Sequence, residues 1–119
     1  MAPANDSERS HVTTHVLDST IGRPAGGVPV VLEHDDLGNW VMIGAAETDA
    51  DGRANSLGPV ALPAGRYRLS FDTKTYFAEQ EVHAFYPEVQ IVFELADTAA
   101  HYHVPLLLSP FAYSTYRGS

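Results

Sequence analysis

The sequence predicts an all-β domain folded as a sandwich, and three features predict it. Apolar residues recur at every second position, or in short unbroken runs, across eight segments of four to nine residues. Clusters of Gly, Pro, Asn and Asp separate these segments. Only one stretch, DTKTYFAEQ (72–80), has helical spacing. Eight short strands and a turn or two of helix within 119 residues fit two packed sheets around one core, with no room for a second domain.

The first strand spans residues 12–18. Val12, Thr14 and Val16 share one face, and Thr13, His15 and Leu17 share the other. TIGRPAGG (20–27) is a turn, and the second strand, 28–34, follows it. DDLGN (35–39) makes a hairpin-like connection to the third strand, 40–47. The Asp51-Gly52 turn of DADGR (49–53) leads into a short fourth strand, 53–56, and LPAGRY (62–67) leads into the fifth, 66–72. The helix starts at an Asp72 or Thr73 N-cap, carries Tyr76, Phe77 and Gln80, and ends well before Pro87. The sixth strand is 88–95. In the seventh, 101–109, Tyr102, Val104, Leu106 and Leu108 face the core, while His101, His103, Pro105 and Leu107 face outward. Pro105 deletes a ladder hydrogen bond, so an edge or an irregularity is expected there. A last strand, 113–117, lies beside the seventh and adds Ser114, Tyr116 and Gly118 to the outer surface.

Charge and composition exclude several function classes. The net charge is -8, from 15 acidic and 7 basic residues, and no Lys/Arg cluster occurs, so nucleic-acid and anionic-membrane partners are not expected. No apolar run approaches the roughly 20 residues of a spanning helix. The absence of cysteine excludes disulfides, thiol nucleophiles and thiolate metal sites. MAPANDSERS lacks the basic and apolar regions of a secretory signal. Residues 1–10 therefore read as a polar flexible tail, 11–119 as the domain, and the cytoplasm as the default location.

The chemistry-bearing residues gather on the predicted outer face. His101-Tyr102-His103, with His15, carries imidazoles at a spacing open to metal ligation, although no Cys or His-Glu-x-x-His companion supports it. His15 and His103 are also candidates for acid–base work near neutral pH, set against the plainer reading of hydrogen-bonded surface histidines. Arg53, after a rigid turn, is placed to meet an anion or a carbonyl, or is merely a solvated charge. His34 and His83 read as solvent-facing. No serine lies in a Gly-x-Ser-x-Gly context, and LGPVALPAG (57–65) is no phosphate loop. Histidines mixed with Leu17 and Leu107 make neither a good core nor a good solvent surface, which points to a ligand site or a subunit interface.

THVLDSTIGRPAGGVPVVLE (14–33), TDADGR (48–53) and above all the terminal HYHVPLLLSPFAYSTYRGS (101–119) resemble the 5-hydroxyisourate hydrolases, the transthyretin-like enzymes of urate breakdown. The likeness covers nearly the whole chain after residue 11. It implies a transthyretin-type (prealbumin-like) β-sandwich of two four-stranded sheets with one short helix. It also implies a homotetramer, a dimer of dimers with sites at the dimer–dimer interface, and an activity that needs no metal or organic cofactor. Carried over position by position, the resemblance makes His15, Arg53, His103 and Ser119 the catalytic set. His15, Arg53 and Tyr116 hold the substrate, 5-hydroxyisourate. His103 is the favoured base, and an extension beyond Ser119 is expected to impair activity. Ala112 departs from the pattern, which more often has Gly there. The alternative is a non-catalytic transthyretin-like protein that binds or carries a small ligand.

Overall fold

The computed structural model describes residues 9–119, in which nine strands and one helix follow the order β1 (Val12–Asp18), β2 (Arg23–Pro24), β3 (Pro29–Asp36), β4 (Asn39–Glu47), β5 (Arg53–Ala54), β6 (Gly65–Phe71), α1 (Thr73–Ala78), β7 (Val89–Leu95), β8 (Tyr102–Leu108) and β9 (Tyr113–Thr115). The expected tail lies almost wholly outside the described residues. Ser10, at its end, is only 1% exposed, and its hydroxyl bonds the carbonyls of Val12 and Asn55, so the packed chain includes it.

Two sheets form the sandwich. One has the order β2-β1-β8-β9, with β5 also on β1, and the other has the order β4-β3-β6-β7. The first sheet therefore holds five strands where four were expected. The extra one is the two-residue β2, formed where Arg23 and Pro24 pair with Asp18 and Leu17 inside the predicted turn. All pairings are antiparallel except β1 with β8, which run parallel in a register that sets Thr13 opposite His103 and His15 opposite Pro105.

The core is built by strand parity. Val12 and Val16 of β1 and Leu106 and Leu108 of β8 meet Leu32, Tyr67, Leu69 and Phe71 of the second sheet, all essentially fully buried. α1 is capped by Asp72, whose carboxylate accepts from the Thr75 N–H at 3.1 Å. The Tyr76 hydroxyl donates to the buried Asp18 carboxylate at 2.7 Å and ties the helix to β1. The outer face of the second sheet is an ordinary solvent surface, where Arg68 pairs with Glu33 at 2.7 Å and lies over the Trp40 ring. The first sheet's outer face is the unusual one.

Candidate active site

Three strands bring His15, Arg53 and His103 onto that outer face. β1 supplies His15 and β5 supplies Arg53, its direct partner across the pair. His103 sits on β8 opposite Thr13, one step along the same face of β1. The turn before Arg53 is fixed by backbone chemistry. Asp49 accepts from the N–H groups of Asp51 and Arg53 at 2.9 and 3.0 Å, and the Val16 N–H donates to the Gly52 carbonyl at 2.7 Å. Gly52 has φ +77°, and a Cβ there would lie 2.3 Å from the Val16 carbonyl. Only glycine lets this turn press against β1 and deliver Arg53 beside His15.

Each histidine is held by one ring nitrogen. The His15 Nε2–H donates to the Asp51 carbonyl at 2.8 Å, which leaves Nδ1 as the free lone pair. His103 turns Nδ1 to the Thr13 hydroxyl at 2.8 Å, and the His101 Nε2 lies 2.9 Å from the same oxygen. The other edge of the His103 ring rests on Gly118, where a Cβ would lie 2.6 Å from Cδ2. The Gly118 N–H donates to the His103 carbonyl at 2.8 Å. Burial lowers the pKa of His103 below 6.5, and the nearby charges of Arg53, His15 and Arg9 lower it further. The pKa of His101 is lowered as well, first by burial and then by Arg9, His103 and His11.

The remaining expected site residues stand apart from this cluster. Tyr116 is 58% exposed and makes no hydrogen bond to His15, Arg53 or His103. It helps line an apolar hollow of about 280 Å³ at the open edge between β7 and β9, together with Ile91, Phe93 and Arg117. Ser119 is exposed, next to the Gly118 that supports His103. Arg117 lays its guanidinium over the Tyr102 ring, 4.4 Å from the centroid. Among the described residues no three His, Cys, Asp or Glu side chains converge as a metal site; His101 and His103 instead share the Thr13 hydroxyl.

Pro105 falls at the irregularity that its missing donor requires. Its carbonyl faces β9 and accepts from the Thr115 hydroxyl at 2.7 Å, so its missing N–H would have faced β9 too. The ladder breaks there, between Thr115 and the isolated His103–Gly118 bridge. His34 differs from its expected solvent-facing position. It is half-buried and stacked on Tyr67, with ring centroids 4.7 Å apart. The Asp51 carbonyl is the site's unforeseen member, and Thr13 and Gly118, expected on this face, take roles there that were not expected. Strand alternation placed Thr13 on the face of His15, but nothing in the sequence signals which residue lies opposite it.

Residues 12–118 match the model of the HIUase/Transthyretin family. The 5-hydroxyisourate hydrolase of Salmonella dublin is 45% identical over 109 residues, which span 91% of this chain and 80% of that protein. Among solved structures, the 5-hydroxyisourate hydrolase of Klebsiella pneumoniae superposes with a TM-score of 0.81 at 36% identity, covering 91% of this chain and 98% of the other. Sea bream transthyretin, solved in complex with thyroxine, superposes with a TM-score of 0.84 at 35% identity, covering 90% and 93%. The sandwich is thus the transthyretin-type fold. Backbone likeness does not separate hydrolase from carrier, so the side chains of the site must.

Proposed function

Because the chain belongs to the HIUase/Transthyretin family, we propose that it is a 5-hydroxyisourate hydrolase whose catalytic face is built on His15, Arg53 and His103. The observation that carries the reading is the convergence of those three side chains from β1, β5 and β8 on one outer sheet face. The reaction adds water across the N1–C6 bond of 5-hydroxyisourate and yields 2-oxo-4-hydroxy-4-carboxy-5-ureidoimidazoline.

Water is a weak nucleophile at neutral pH, so a base must take its proton during attack. His103 Nε2 does so, since its ring stays neutral at neutral pH and its other nitrogen is engaged. His15 accepts a hydrogen bond from the same water at Nδ1 and orients it, while Asp51 holds the ring still. As the water oxygen bonds to C6, the carbonyl oxygen gains negative charge and meets the Arg53 guanidinium. Collapse of the tetrahedral intermediate breaks the C6–N1 bond, and the His103 imidazolium returns its proton to the departing N1. Tyr116, which stands apart from the cluster within one chain, is assigned contact with the bound substrate, and Ser119, kept near by the Gly118 tether to His103, closure of the site's edge.

The site is completed by assembly into a homotetramer, a dimer of dimers, in the cytoplasm. β7 and β9 each leave one side unpaired and border the same apolar hollow, and open strand edges of this kind favour pairing with a second copy. Arg53 and the histidines lie on an open sheet face that a facing dimer would enclose. The competing reading, a small-ligand carrier, is supported by Leu17 and Leu107, which pair on the same face. The variant His103→Ala separates the two. Turnover is expected to fall at least about 100-fold, the scale of losing a general base, with binding of a substrate analogue retained. Turnover unchanged in that variant would remove His103 from the mechanism.

A further inference from the structure

Thr13 is buried, at 2% exposure, yet its hydroxyl oxygen touches two imidazoles at once. Its backbone is secured in β1, directly opposite His103 in the parallel pair. A threonine hydroxyl carries one proton, so it donates to at most one of the two rings. If it donates to His101 Nε2, it is left to accept from His103 Nδ1–H. If it donates to His103 Nδ1, the His103 proton must sit on Nε2, and no lone pair faces the substrate.

We propose that Thr13, with its hydroxyl proton drawn to His101, is the positioning residue that keeps His103 in the Nδ1–H tautomer and so leaves Nε2 free as the base. This rests on the hydrolase reading given above and deepens it. Two considerations bear on the direction of the chain. Each donor finds an acceptor, His103 Nδ1–H on Thr13 and Thr13 Oγ1–H on His101, as it would in the reverse order; what selects this order is that only it leaves the base a bare Nε2. The Arg53 cation, which makes protonation of His103 less favourable, likewise favours a lone pair on the ring nitrogen left open. His101 thereby acquires a role without touching substrate: it consumes the only proton that Thr13 could give to His103.

Two measurements on the full chain decide this. Nitrogen chemical shifts of ¹⁵N-histidine-labelled protein above pH 7 should show His103 protonated at Nδ1 and bare at Nε2. Thr13→Val, which keeps the shape and loses the hydroxyl, should shift His103 toward the Nε2–H form and lower kcat roughly 10–100-fold with KM little changed, the scale expected on losing an orienting partner. Thr13→Ser should restore both the tautomer and most of kcat. His101→Phe should reproduce the Thr13→Val defect, because the freed hydroxyl then donates to His103. Wild-type protein with His103 protonated at Nε2, or a folded Thr13→Val variant with undiminished kcat, would overturn the proposal. Wild-type protein inactive on 5-hydroxyisourate would instead refute the hydrolase reading, and the nitrogen shifts would still decide the tautomer.

Discussion

His103 gathers its properties from four neighbours on three strands or segments. Thr13 holds one nitrogen, Gly118 lies along the opposite edge, and Arg53 and His15 stand close enough to disfavour its protonation. Burial is the largest cause of its lowered pKa, and those charges, with that of Arg9, add to it. The base is active when neutral, so the acid limb of kcat/KM should have its midpoint below pH 6.5. Arg53→Met removes one of the causes. The acid limb of the profile should then move to higher pH, on top of a fall in rate of about 100-fold or more from the lost oxyanion partner. An acid limb that stays in place would show that Arg53 does not act on His103. Gly118 makes a separate prediction. A methyl group there would meet the imidazole at 2.6 Å, so Gly118→Ala should lower kcat without lowering the melting temperature, a split that steady-state kinetics and calorimetry would show together.

The β3–β4 hairpin and the end of α1 each carry a residue unsuited to its backbone. Leu37 and Gly38 form a two-residue turn with φ of 54° and 92°, the left-handed pair that Asn-Gly fills best. Leu37 is 97% exposed and makes no use of its side chain, so Leu37→Asn should stabilise the fold by about 1 kcal/mol. A melting temperature unchanged by that substitution would contradict this. At the end of α1 the Val82 N–H reaches the Phe77 carbonyl and the Glu81 N–H reaches that of Ala78. This closing pattern favours glycine where Glu81 stands at φ 58°. Such elements were largely legible beforehand. Parity alone assigned β1 and the two faces of β8, and Asp72 announced the helix. β2 was not legible, because Arg23 and Pro24 carry no alternation and gain strand geometry only by lying against Leu17 and Asp18. Thr13 was visible on the right face, but its partner is 90 residues away, and that pairing depends on the parallel register of two distant strands.

Across the whole molecule, the family was readable through the terminal motif rather than through any physical pattern, and the tetramer proposed with it is open to a direct test. In solution the protein should size at roughly 52 kDa, four times the 12.9 kDa chain, and lose activity together with assembly on dilution. A monomer with full turnover would show that each chain's face suffices alone. Both His101 and His103 have lowered pKa values, so the unfolded chain binds protons that the fold refuses just below pH 6.5. The stability these rings contribute is present above 6.5 and falls as pH drops from there toward their folded values, a decline that His101→Phe should lessen in denaturant titrations. The central claim is that this molecule is a hydrolase and not a carrier on the same scaffold. Its most direct test is the ultraviolet decay of freshly generated 5-hydroxyisourate with wild-type protein, with His103→Ala and with buffer alone. Rapid decay with wild type and a rate near that of buffer with the variant is the predicted result. Decay no faster than buffer from a folded wild-type tetramer would contradict it.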